Sequence, residues 1–348
     1  MTTSARRSAL AYLYPGWFTP VMGLAGLSLA WHRAVPAMGE AARGVAWALG
    51  GVSAVVFGLL ALATLWRAAA HPQAWAQDRR HPVRHTLVAT LPSGIILVAT
   101  AGVAAFGPSA GTLTGLALQG LWWTGCLAMV VVTLWVMARW WRSPPEGGLA
   151  WPSVTPALIV PVVGHVLAPL AGVALGHADW SAAQFGIGLA FWLPTLGLLM
   201  ARLVVAGPLP ERLLPTVFIM VAPPAAAGLS VLELGAPPII GWMLWGVAIF
   251  ALLWAGSTAR RIMALPFGLT HWALSFPLAA TAGLTLRLAN GSGPMGLLGL
   301  ALLALASLVI AALSLATLRG LRDGSLLQPE PVAVVQAAAQ AAPTARAS

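Results

Sequence analysis

The sequence predicts an all-α integral membrane protein of ten transmembrane helices. Three observations lead there. The chain has 348 residues, of which 59% are hydrophobic and only 7% charged, whereas soluble domains carry roughly 25% charged residues. It divides into ten apolar stretches of about 20 residues, the length that crosses a bilayer core of ~30 Å as a helix. Its basic residues are all arginine, and fifteen of the 18 fall on one side when those stretches are threaded alternately through a membrane. Such a skew places that side, and with it both termini, in the cytoplasm.

The first stretch, 13–32, follows Arg6-Arg7 and has no small-residue cleavage site, so we read it as a retained helix and not a signal peptide. The next are 45–67, 86–106, 112–137, 155–176, 183–205, 213–234, 238–258, 267–288 and 295–318. Arg33, Arg43 and Arg287 are the three arginines left on the outer side. Residues 1–12 form a cytoplasmic lead, 13–319 the membrane domain, and 320–348 a small-residue, low-complexity tail expected to be disordered. Arginine without lysine, with much Ala, Gly and Pro, points to a GC-rich bacterial coding sequence and so to a bacterial inner membrane.

Prolines set the internal organisation. The odd-numbered helices each carry one near the middle: Pro20, Pro92, Pro161, Pro223 and Pro277. Among the even-numbered helices, only the sixth has one, Pro194. The chain thus reads as five hairpins, each with a kinked first helix and a straighter second helix. Proline can serve packing alone, but five at matching depth favour odd helices gathered around a shared axis, lining a narrow path, with even helices facing lipid. Residues near these prolines are small or hydroxylated, including Thr19, Ser93 and Ser275. Small residues allow close helix approach or leave room for a lumen.

Several function classes are excluded or weakened. All eight acidic residues lie in loops, tails or helix ends, so no carboxylate sits at mid-membrane. Proton-coupled carriers and cation channels use such groups. A path free of negative charge, with Arg84 and His271 at its cytoplasmic mouth, favours anions. A sealed structural bundle would also lack buried carboxylates. His165 is the ionisable side chain well inside a span; it is either a neutral histidine bonded between helices or a pore-facing polar contact. The single cysteine, Cys126, excludes an internal disulfide, and its plain reading is a buried inert thiol. No motif supports an enzyme, a cofactor, a metal site or nucleic-acid binding.

The stretches GWFTPVMGLAGLSLAW at 16–31, HPVRHTLVATLPSGIILVA at 81–99, FGIGLAFWL at 185–193, LPERLLPTVFIMVAPPAAAG at 209–228 and HWALSFP at 271–277 resemble the tellurite-resistance/dicarboxylate transporter family, most closely its bacterial TehA-like branch. The resemblance covers all ten helices in family order. It implies five hairpins in quasi-fivefold arrangement around a central pore, a homotrimer with one pore per protomer, and small inorganic or organic anions as the transported species. The family's gating phenylalanine lands on Phe276. Physics places that ring about 15 Å from either surface, where it could equally be a helix-packing residue. The chain departs from the family pattern at Pro277, where glycine is frequent, and at His165, where a small polar residue is expected. A carrier or exporter of dicarboxylate, sulfite or tellurite, with or without proton coupling through His165, is the alternative.

Overall fold

Four of the long helical segments begin with a proline in first or second position, Pro15, Pro156, Pro238 and Pro294, where its missing N–H costs nothing. The computed structural model describes residues 9–108, 111–290 and 292–328; the expected cytoplasmic lead and disordered tail fall mostly outside them. Ten long helical segments occur among the described residues: α1 (15–33), α2 (Glu40–Ala70), α3 (Thr86–Phe106), α4 (Leu113–Trp141), α5 (Pro156–Gly172), α6 (Ala178–Val205), α7 (Glu211–Glu233), α8 (Pro238–Gly256), α9 (269–289) and α10 (Gly293–Arg322). No strand is present among the described residues.

Seven of these helices, α2, α3, α4, α6, α7, α8 and α10, are long and apolar enough to cross a membrane, and α5 is a shorter apolar helix. The sequence expectation of ten spans is therefore met on length and composition by seven. Segment α5 falls short in length, and α1 and α9 in hydropathy, since they carry His32 and Arg33 or His271 and Arg287.

A break into 3₁₀ and α pieces refines the proline reading. Each odd segment starts as a 3₁₀ helix and changes to α-helix at Thr19, Thr90, Val160, Ala222 or Ser275. Pro20, Pro161 and Pro223 are then the second residue of their α stretch, and Pro92 and Pro277 the third. The first four N–H groups of an α-helix have no intrahelical partner, so proline sacrifices nothing there. These prolines start α-helices in mid-segment; they do not kink continuous ones. Local hydroxyls take up carbonyls at the junctions: Thr19 donates to Gly16 O at 2.7 Å and Ser275 to Trp272 O at 2.6 Å. Pro194, by contrast, sits inside an uninterrupted α6.

The odd segments are inside. The most apolar window is 67% buried in α3 and 78% in α7, against 11% to 33% in α2, α4, α6, α8 and α10. In α9 every residue from Ser275 to Leu286 is buried. The odd segments touch in a closed cycle, α1 on α3, α3 on α5, α5 on α7, α7 on α9 and α9 on α1. Each even helix lies against its own hairpin partner and the next odd segment: α2 on α1 and α3, α4 on α3 and α5, α6 on α5 and α7, α8 on α7 and α9, α10 on α9 and α1. The large apolar side chains exposed on this outer layer, such as Leu62, Leu134, Phe250 and Leu308, suit a lipid surface.

Close packing at the α4–α5–α6 junction depends on glycines, Gly172 among them. A Cβ on Gly172 would overlap Ser181 Oγ and the Trp122 indole. Trp122 is fully buried and its Nε1 donates to Ala168 O at 3.0 Å, so it has no room to yield. Gly172→Ala should therefore cost roughly 1–3 kcal/mol, read as a lower unfolding temperature in detergent; an unchanged temperature would mean the junction is loosely packed.

Candidate functional site

Two cavities lie end to end inside the ring of odd segments. The larger, about 80 Å³, is bordered by all five: Thr19 from α1, Ser93 from α3, Gly164 from α5, Pro223 from α7, and Ser275 and Phe276 from α9. The smaller, about 10 Å³, is bordered by Gly26 and Arg33 from α1, Leu170 from α5, Leu229 from α7, and Phe276 and Gly283 from α9. On α1, α5, α7 and α9 the residues bordering only the small cavity come later than those bordering the large one. Phe276 and Ala226 border both. A single water needs ≳10–15 Å³, so the path narrows to about one water beyond the ring.

The Phe276 ring is only 8% exposed. It is received by Gly26: a Cβ at that position would lie 2.8 Å from Phe276 Cδ2. The 3₁₀-to-α junction at Ser275 fixes the start of the helical turn that carries it.

The sequence-predicted residues divide into two groups. Thr19, Ser93 and Ser275 border the large cavity, as do Pro223 and Pro277. Pro20, Pro92 and Pro161 are buried but border neither cavity; their neighbours Thr19, Ser93 and Val160 do. Thr90, another hydroxylated residue near Pro92, also borders the large cavity. All four hydroxyls have backbone carbonyls as acceptors: Thr19 on Gly16, Thr90 on Pro15 or Leu87, Ser93 on Ala89 and Ser275 on Trp272. Their protons are committed, so the wall offers an ion weak contacts, which suits passage better than retention.

His165 does not border either cavity. Its Nδ1 meets Gln184 on α6 and its Nε2 lies 2.9 Å from Thr133 Oγ1 on α4, and Thr133 in turn donates to Pro161 O. The ring thus faces the outer helices, and this is the interhelical arrangement of the two weighed from sequence. Arg84 and His271 are also turned aside. Arg84 pairs with Asp78 at 3.1 Å and lies over the Tyr14 ring at 4.8 Å, and His271 Nδ1 meets the backbone of Gly268. Their near neighbours Leu87 and Trp272 border the large cavity instead.

Two features escaped the sequence. Arg33 is the one charged side chain bordering either cavity among the described residues. At the opposite end, Asp78 is buried between Arg67, at 2.6 Å, and Arg84, and Arg67 also donates to Ala11 O at 3.0 and 3.1 Å. This network ties the end of α2, the short helix Pro72–Arg80 and the entry to α1 together.

His85, just ahead of α3, packs at that same end. Burial pushes its imidazole down to about 4, with the Arg139 charge acting in the same direction. Above pH ~6.5 the ring is neutral folded and unfolded. Below that the unfolded chain takes up a proton that the folded state refuses, so stability falls with pH until about 4. Between pH 7 and 5 the loss should be about 2 kcal/mol. His85→Phe should flatten that part of the pH profile in detergent unfolding, and an unaltered profile would exclude His85 as its source.

A family sequence profile described as SLAC1, voltage-dependent anion channel, matches residues 12–318, nearly the whole chain. The chain belongs to this family. Its relatives include a tellurite resistance protein TehA homolog of Haemophilus influenzae, 24% identical over 80% of this chain and 81% of the relative. An uncharacterized transporter of Methanocaldococcus jannaschii is 24% identical over 76% of this chain and 80% of its own. The S-type anion channel SLAH2 of Arabidopsis thaliana is 28% identical over 37% of this chain, a match that spans 25% of the plant protein's length. With the apolar helices, this establishes a multi-pass membrane protein of an anion-transporting family, similar to the bacterial TehA homolog.

Proposed function

We propose that this protein is an anion channel of the bacterial inner membrane whose central path is closed by Phe276. The observation that carries the proposal is the position of that ring as a wall common to two cavities that otherwise lie in line. An apolar constriction of this width blocks ions by sterics and dewetting. The absence of carboxylates from the cavity walls among the described residues, and the presence of Arg33, support anions over cations. The committed hydroxyls support flow over tight binding.

The finer architecture belongs to the same proposal: ten spans in quasi-fivefold arrangement, termini in the cytoplasm, and three copies each with its own path. Lengths support ten spans, since 3₁₀ and α rises give 15–33 about 30 Å and 269–289 about 34 Å, enough for the ~30 Å core. The closed cycle of odd segments supports the fivefold order, and the arginine skew supports the orientation. Trimer formation rests on the family resemblance. The test is anion efflux from proteoliposomes holding the intact protein or Phe276→Ala. Null efflux from both would leave a sealed bundle, and equal rapid efflux from both would remove the gate.

A further inference from the structure

Among the described residues, one charge on the path has no role so far. Arg33 ends α1, and its side chain is 13% exposed. It borders the same small cavity as Phe276, seven residues beyond Gly26 and hence about 10 Å further along the path. A buried guanidinium with five donors needs close acceptors. Its contacts are long: Glu233 Oε1 at 3.5 Å and Leu29 O at 3.5 Å, where charge-assisted bonds run ≈2.7–2.9 Å. A second arginine approaches it. A Cβ on Gly283 would lie 3.6 Å from Arg33 Cδ, and Arg287 stands one turn beyond Gly283 on the same face of α9, close enough for its charge to oppose that of Arg33. Nearby Arg43 is neutralised by Glu40 at 2.8 Å. Two guanidinium groups and one carboxylate leave a positive charge in excess at the end of the path.

We propose that Arg33 and Arg287 form a binding site for a small monovalent anion at the outer end of the path, with Glu233 as the tethered group that an incoming anion displaces from Arg33. The site rests on the anion-channel reading and deepens it by naming where an ion is first held. Chloride or nitrate fits its chemistry, being compact and singly charged. A lipid phosphodiester suits it poorly, because Arg33 faces an interior cavity of about 10 Å³. Glu233 keeps the site from holding an ion so tightly that flow stops, since an ion must leave as readily as it arrives.

The test is the unfolding temperature in lipid-free detergent as chloride replaces bulky gluconate at constant ionic strength. A ligand that binds only the folded state raises that temperature. The intact protein should show a chloride-dependent rise. Glu233→Gln should shift the midpoint to several-fold lower chloride, Arg33→Gln should abolish the rise, and Arg33→Lys should restore part of it. If Arg33→Gln fails to fold, the exposed Arg287→Gln carries the test, with a several-fold weaker midpoint expected. No chloride-specific rise in the intact protein, or the same midpoint in Glu233→Gln and Arg287→Gln, overturns the site. A rise produced by adding phosphatidylglycerol in chloride-free gluconate, and lost in Arg33→Gln, overturns the free anion in favour of a headgroup. Because this readout needs no ion flow, a silent Phe276→Ala would remove the gate while leaving the site standing. A conducting Phe276→Ala with an unresponsive midpoint would do the reverse.

Discussion

Phe276→Ala should release chloride from proteoliposomes far faster than the intact protein. The ring is the shared wall of two cavities, so its removal joins them without any helix having to move. Lowering the passage barrier by about 3 kcal/mol would raise flux roughly a hundredfold, and a dewetted apolar plug presents at least that. Phe276→Leu should fall between the two, because a smaller apolar side chain still narrows the path. The fold should survive. Phe→Ala in a filled core costs about 3–5 kcal/mol, but this ring already has open space on both sides, which puts the loss at the lower end. Flux that rises in Ala but not at all in a helix-destabilising control such as Gly172→Ala would tie the effect to the path itself. A Phe276→Ala protein that is folded and silent would show that closure lies elsewhere.

The second large effect concerns stability. Asp78→Ala should destabilise the protein by about 3–5 kcal/mol, because removing one partner of a buried pair strands the other charge. Arg67 is 1% exposed, and Asp78 is its partner at 2.6 Å. The lost carboxylate also removes one partner of Arg84, which lies over Tyr14 at the entry to α1. The double variant Asp78→Ala/Arg67→Met should recover much of the loss, since replacing a whole buried ion pair by apolar groups is often neutral. Detergent unfolding measures both. A single-variant loss below about 1 kcal/mol would mean that the pair is solvated and behaves as a surface bridge.

Much of this architecture was legible in the sequence because membranes impose simple rules. Apolar length separated the outer helices, and arginine position gave an orientation to test. The proline period separated α1, α3, α5, α7 and α9 from the rest, and burial agrees with that division. What the period did not carry was the local geometry. Proline is tolerated both at a kink and at the first turn of a helix, and only the backbone shows that Pro20 or Pro277 begins an α stretch after a 3₁₀ one. Side-chain direction was equally hidden. His165 lies within a residue or four of Gly164 and Pro161, yet turns outward because Thr133 and Gln184 on neighbouring helices supply its partners. Arg84 looked like a mouth residue by position alone, whereas Asp78, six residues earlier, holds it aside. The Arg33–Glu233 contact joins residues 200 positions apart in the chain, and no local pattern announces it. Both residues are charges at the ends of odd helices, a signal that could have pointed towards them.

The central claim is that an anion path runs between the odd segments and that Phe276 closes it. The most direct test is the reversal potential of Phe276→Ala in a planar bilayer under a KCl gradient. A current that reverses near the chloride equilibrium potential, with the intact protein silent, is the result expected here. Reversal near the potassium potential, or no current from the folded variant, would contradict it.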